Sequence, residues 1–177
     1  MNEGKSMKTF YFKGLLTFLC LLMGQDQADS QQLIPRTLDV NGVTREYTVY
    51  LPVNFDPADQ LPVLFAFGGG GDTGAIFMQF EGDFRPLADS ERFIAVYPNP
   101  ILDVNGCLCW NNLGPYSTGI DELGFAEAMI DTITVDYSAD PQRIFACGFS
   151  LGGSLMWDFS CYLSDRFAAL GVVAANI

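Results

Sequence analysis

Residues 143–153 read Arg-Ile-Phe-Ala-Cys-Gly-Phe-Ser-Leu-Gly-Gly, and the fold turns on how this stretch is parsed. Arg143–Cys147 is a short apolar run of the kind a buried strand makes, and Leu151–Leu163 carries helical spacing. Between them Gly148-Phe149-Ser150-Leu151-Gly152 matches G-x-S-x-G, which predicts a serine on a sharp, strained strand-to-helix turn. Glycines two positions to either side let strand and helix approach without a Cβ clash, so that the serine side chain projects above the sheet edge. The Leu151 amide falls at the helix N-terminus, where N–H groups lack intrahelical partners and the dipole favours an anion. A bare G-x-S-x-G carries little weight. Its place between strand and helix favours a nucleophile with an oxyanion donor over a glycine-rich turn with a bystander serine.

The flanking sequence repeats the alternation. Upstream, Leu33–Val40 and Val43–Leu51 flank Asn41-Gly42, a type I′ hairpin signal, and the second run alternates as Val43, Arg45, Tyr47, Val49. Val63–Phe67 reads as a buried parallel strand, Phe77–Ser90 as mixed helix, and Arg92–Tyr97 as a strand stopped by Pro98 and Pro100. A long loop follows over Asn99–Gly119. Ile120–Ile133 has helical spacing, with Asp121 and Glu122 in its first turn facing the positive helix end. Ala168–Ala174 is a last apolar strand. The order, a hairpin and then β-α-β-α-β-α-β, implies an α/β fold with a mainly parallel sheet covered on both faces, and sites at the carboxyl ends of its strands. The pentapeptide Leu-Asp-Val-Asn-Gly occurs twice, at 38–42 and 102–106, in contexts that look unrelated.

The chain has 177 residues, 49% of them hydrophobic, a formal net charge of -12 and no histidine. That length suits one domain and the composition excludes disorder. With no histidine, neither a Ser-His-Asp triad nor a His-ligated metal site is completed from these residues alone. The acidity argues against a nucleic-acid partner, since phosphate binding needs a basic face. Residues 1–30 read as a signal peptide: Lys5, Lys8 and Lys13 precede the apolar run around Leu15–Leu22, and a polar stretch follows. Gly14–Gly24 is too short to span a bilayer, so a secreted (extracellular or periplasmic) product without a stable membrane anchor is expected. Residues 31–177 then form a partial domain with four cysteines, Cys107, Cys109, Cys147 and Cys161, which allow three full pairings once export permits disulfides. The two-pair spacing of a zinc ribbon is absent.

The run Gly68-Gly69-Gly70-Gly71 follows the first parallel strand, where glycines let the backbone come close to a substrate carbonyl. Gly69, Gly71 and Gly74 also satisfy G-x-G-x-x-G, but a hairpin precedes the unit and no acidic residue ends the next strand, which disfavours a dinucleotide site. No lysine follows, so a P-loop is excluded.

These motifs, with Arg45–Pro52 (REYTVYLP), Leu61–Gly71 (LPVLFAFGGGG), Phe93–Pro98 (FIAVYP), Trp110-Asn111, Ile120–Ile133, Asp140–Gly153 and Asp165–Ala169 (DRFAA), resemble the secreted polyhydroxybutyrate depolymerase and feruloyl-esterase group of α/β hydrolases over about residues 43–177. The resemblance implies hydrolysis of a neutral polyester or plant cell-wall ester, without a cofactor. It assigns Ser150 as nucleophile and the amides of Leu151 and of the loop at Gly68 and Gly69 as oxyanion donors. It also implies a disulfide from Cys107 or Cys109 to Cys161, with Cys147 buried as a small apolar residue. Two departures stand out. The group carries His-Gly where this chain has Phe67-Gly68, and that histidine supports the loop. The group's catalytic Asp and His follow later strands. Downstream of Ser150 this sequence has only Asp158, in the elbow helix, and Asp165, at its end, and neither is placed as the acid. The expectation is an α/β-hydrolase fold whose C-terminal part is absent. The alternative is a non-catalytic secreted binding module that kept the sheet and lost the triad. Trp110, Tyr116 and Phe149 are candidates to line the acyl pocket, although buried packing is the expected role of Phe149. Oligomeric state is not legible.

Overall fold

The computed structural model describes residues 32–112 and 119–176. The expected leader over 1–30, and Tyr116, a pocket candidate on sequence grounds, lie outside the described residues. Strands β1 (Gln32–Val40) and β2 (Val43–Leu51) form an antiparallel hairpin with Val40 opposite Val43. Asn41 at φ 53° and Gly42 at φ 80° supply the two left-handed residues that a type I′ turn demands, and Gly42 N–H donates to Asp39 Oδ1 at 2.9 Å.

Strands β3 (Val63–Phe67), β4 (Ile94–Pro98), β7 (Ile144–Phe149) and β8 (Ala169–Val173) complete a six-stranded sheet in the order β1-β2-β4-β3-β7-β8. β2 meets β4 antiparallel, and the pairs β3–β4, β3–β7 and β7–β8 are parallel. Every residue of β4 is buried, as expected of a strand covered on both faces. Helices α3 (Glu122–Asp136) and α4 (Leu151–Tyr162) contribute Phe125, Met129, Ile133, Leu155 and Phe159 to the larger core, together with Val49, Phe65, Phe67 and Ile144 of the sheet. The smaller core lies on the other face. There Phe77 and Met78 of α1 (Gly74–Phe80) and Ala88 of α2 (Arg85–Glu91) meet Tyr50, Ala66, Ala95 and Tyr97.

Three local differences from the sequence reading have physical causes. The helical stretch 77–90 is two helices, because Gly82 tucks against the Phe77 ring where a Cβ would approach within 2.5 Å, and Pro86 starts a new helix. The loop after β4 contains a small hairpin, β5 (Ile101–Leu102) with β6 (Leu108–Cys109). Its turn is the second Leu-Asp-Val-Asn-Gly copy. Asp103 Oδ1 accepts from the amides of Asn105 and Cys107 at 2.8 Å each, so both copies build hairpin turns closed by their aspartate. Finally, the cysteine pairing implied by the resemblance is not the one seen: Cys107 and Cys109, with Cα atoms 5.3 Å apart, pair with each other on either side of Leu108. Cys161 is an exposed free thiol on α4, and Cys147 is a half-buried free thiol on β7.

Candidate active site

The site is built where β7 turns into α4. Ser150 has φ 51° and ψ −116°, a left-handed backbone that a non-glycine residue holds only under strain. Surrounding contacts over-determine it. Ser150 N–H donates to Val173 O of β8 at 2.9 Å, and Ser150 O accepts the first helical bond, from Ser154 N–H, at 3.0 Å. Gly148 and Gly152 make the turn possible, since a Cβ on Gly152 would lie 2.5 Å from the carbonyl oxygens of both Phe67 and Gly68. Ser150 stands at the N-cap of α4 but makes no side-chain capping bond, and it is exposed, so the hydroxyl is presented outward rather than spent on the helix. The Leu151 N–H belongs to the first turn of α4, whose N–H groups have no intrahelical acceptor.

The glycine run after β3 comes up against this turn. A Cβ built on Gly69 would sit 3.6 Å from Ser150 Cβ, and one on Gly70 would sit 3.5 Å from Leu151 Cδ2. Gly69 is thus brought to the serine, whereas Gly68 lies lower, against Phe77 Cβ, with its carbonyl oxygen accepting from Trp110 Nε1 at 2.9 Å. Gly71 N–H donates to Leu108 O at 2.8 Å, which ties the end of the run to the β5–β6 hairpin. The Asp72 carboxylate borders the same loop.

Phe67, where the resemblance puts histidine, is 1% exposed. Its ring meets Trp110 edge-on at 5.1 Å and Phe159 at 5.4 Å, so the loop is supported by aromatic packing and an indole hydrogen bond instead of an imidazole. Trp110, a pocket candidate on sequence grounds, is buried in the core, where its indole N–H holds the Gly68 carbonyl. Phe149 does border a cavity of about 380 Å³ beside the elbow, with Phe77, Phe84, Cys147 and Val173. Burial in these apolar surroundings pushes the Cys147 thiol up to about 11, so the group stays protonated and inert.

One feature of the site is not legible in any local motif. Arg45 and Glu122 form a buried ion pair at 2.8 Å, and the Arg45 guanidinium stacks 4.0 Å above the Phe125 ring. The other carboxylate oxygen of Glu122 accepts from Asn111 N–H at 3.2 Å. Burial holds the Glu122 carboxyl above the usual range, against the opposing pull of Arg45. The available signal was the register of β2, which puts Arg45 on the same face as Tyr47 and Val49.

The two downstream acids stay away from Ser150. Asp158 is two turns along α4, and Asp165 borders a hollow with Asp131 and Pro141, beyond the start of β7. Among the described residues no group of three or more His, Cys, Asp or Glu side chains converges on a metal position, and no helix is long and apolar enough to cross a membrane.

Sheet order, strained serine turn and facing glycine loop define the α/β-hydrolase fold. Solved structures share it: an acetyl xylan esterase from Aspergillus awamori (TM-score 0.64, 18% identity, 78% of this chain and 51% of that one) and a ferulic acid esterase (TM-score 0.64, 23% identity, 81% and 57%). Within that class the curated relatives are feruloyl esterases, an acetylxylan esterase and a polyhydroxyalkanoate depolymerase. The bifunctional acetylxylan esterase/xylanase of Neocallimastix patriciarum is 29% identical over 128 residues, 72% of this chain and 17% of that protein. Feruloyl esterase D of Neurospora crassa is 24% identical over 148 residues, 78% of this chain and 48% of its own length. Poly(3-hydroxyalkanoate) depolymerase C of Paucimonas lemoignei is 25% identical over 117 residues, 65% and 28%. The chain therefore spans about half the length of feruloyl esterase D, and less of the other two. No family model matches.

Proposed function

We propose that the protein is a secreted serine hydrolase of carboxylic esters, acting on a polyester, feruloyl or polysaccharide ester, with Ser150 as nucleophile. The observation that carries this reading is the strained backbone of Ser150 at φ 51°, placed so that a Cβ built on Gly69 would lie 3.6 Å from Ser150 Cβ. Ser150 Oγ attacks the ester carbonyl carbon while its proton passes to a histidine. The carbonyl oxygen becomes an oxyanion held by the N–H groups of Leu151 and Gly69. The alcohol then leaves with the proton, and water releases the acid from the acyl-serine. None of the 177 residues is histidine, so the proton acceptor of this step is not among them. The leader-like residues 1–30 support export. The apolar cavity beside Phe149 supports an acyl group with hydrocarbon or aromatic character.

The test is labelling of the full-length gene product with a fluorophosphonate, followed by peptide mapping. Adduct on Ser150, abolished together with ester hydrolysis in Ser150→Ala, is the expected result. An active enzyme that never carries the label on Ser150 would overturn the assignment.

A further inference from the structure

We propose that Trp110 is a positioning residue for the oxyanion hole: its indole N–H holds the Gly68 carbonyl and thereby aims the Gly69 N–H at the developing oxyanion. The proposal rests on Ser150 being the nucleophile. The argument starts from one planar peptide. The carbonyl of Gly68 and the N–H of Gly69 belong to the same unit, and no cis peptide bond occurs in the described chain. In a trans peptide the two groups point in opposite directions. Trp110 Nε1 fixes the Gly68 carbonyl oxygen at 2.9 Å on the core side, so the Gly69 N–H is turned away from the core, where Gly69 stands beside Ser150.

The loop needs such a restraint. Residues 68–71 are four consecutive glycines, each with wide backbone freedom, and a peptide flip between Gly68 and Gly69 would swap a donor for an acceptor facing the anion. Trp110 is itself held in place. It is 3% exposed, its ring meets Phe67, and the next residue, Asn111, is clamped by Glu122 through its N–H and by Ile120 O through its side-chain amide at 2.6 Å. Glu122 in turn is held by Arg45. The buried ion pair thus supports a donor that reaches the catalytic loop. A core position that merely needed filling would accept any apolar bicyclic ring of the same shape equally well. The indole N–H is the part that filling does not explain.

The full-length enzyme carrying Trp110→Phe keeps the aromatic body and loses the donor. The expected result is a kcat reduced roughly tenfold to a hundredfold with KM within about twofold of wild type, a smaller loss than deleting an oxyanion donor outright. The thermal midpoint falls, because the smaller ring leaves a void and the Gly68 carbonyl loses its donor, so the split between kcat and KM is the readout. An unaltered kcat would overturn the proposal, as would a loss in which KM rises in parallel with the fall in kcat. If Trp110→Phe does not fold, β-(3-benzothienyl)alanine at position 110 keeps the bicyclic shape without the N–H, and the same split in kcat and KM decides. Ser150→Ala runs alongside. Retained hydrolysis in that variant would refute the serine reading itself, whereas a dead Ser150→Ala beside a fully active Trp110→Phe would refute only the role of Trp110.

Discussion

A methyl group on the Cα of Gly148 would lie 2.1 Å from the carbonyl oxygen of Gly152. The obstacle is backbone, two residues into α4, so no side-chain rotation relieves it. Gly148→Ala therefore forces strand and helix apart at the serine. A displacement of this size costs about 3 kcal/mol or more of stability, at the upper end of overpacking effects. Ser150 also moves relative to Gly69, and a misplacement of about 1 Å costs on the order of 100-fold in rate. Urea unfolding and ester hydrolysis of the variant check both numbers. A variant with wild-type rate would show that the turn has slack the packing does not reveal.

Arg45 and Glu122 are 1% and 4% exposed, and the penalty of burying Glu122 outweighs the pull of its partner, which leaves its carboxyl above the ordinary range. The sign follows from linkage. The native state holds this proton to a higher pH than the unfolded chain, so the contribution of Glu122 to stability is largest below the unfolded pKa and declines as pH rises through the folded one. Arg45→Met removes the opposing cation. The expected cost is about 3 kcal/mol at pH 7, because an unpaired buried carboxylate remains, and less at pH 5, where Glu122 is more easily protonated. Glu122→Gln instead leaves the Arg45 guanidinium, which cannot neutralise itself, so its cost does not shrink between pH 7 and pH 5. Denaturant unfolding at the two pH values tests this asymmetry, and an Arg45→Met cost that is no smaller at pH 5 would contradict it.

The four cysteines of the described region separate into three classes of reactivity. Cys107 and Cys109 are paired, Cys161 is exposed, and Cys147 is half buried with its thiol pushed up to about 11. Iodoacetamide at pH 8 without reductant is expected to alkylate Cys161 within minutes and Cys147 only after unfolding, since the thiolate is the reactive form. Peptide mapping reads this directly. A Cys161 found disulfide-bonded to the β5–β6 hairpin would restore the pairing that the family resemblance implies.

The parts of this molecule that are legible in its sequence are those whose cause is local. The hairpin needs Asn41-Gly42, and the elbow needs its serine and glycines between an apolar strand and a helix. Both fall within a dozen residues. The Arg45–Glu122 pair joins residues 77 positions apart, and each alone reads as an ordinary polar residue of a strand or a helix start. The break between α1 and α2 depends on the Phe77 ring folding over Gly82, a tertiary contact that periodicity does not encode. Trp110 sits in a loop that carries no pattern, and its hydrogen bond to the Gly68 carbonyl is seen only once the chain is folded. The hairpin holding Cys107 and Cys109 carries no strand periodicity in the sequence, because its strands are two residues long.

Phe67 gives a further test of how this loop is supported. It is enclosed by Trp110 and Phe159, and Phe159 stacks in turn on Phe167 at 5.5 Å, so the position is apolar on each side that these rings cover. Phe67→His would restore the residue that the resemblance places here, but into surroundings built without it. An imidazole buried among rings loses hydration that nothing there replaces, and the expected destabilisation at pH 8 is about 2–3 kcal/mol. Burial disfavours the imidazolium, so the folded pKa of the new histidine falls below its unfolded value of about 6.5. The unfolded state then binds the proton more readily, and the variant loses further stability as pH falls from 7 to 5, over and above whatever wild type does in the same range. Thermal midpoints of both proteins across that range provide the measurement. A variant as stable as wild type at both pH values would mean that the loop accepts a polar support after all, and that the aromatic cluster is one of two workable solutions.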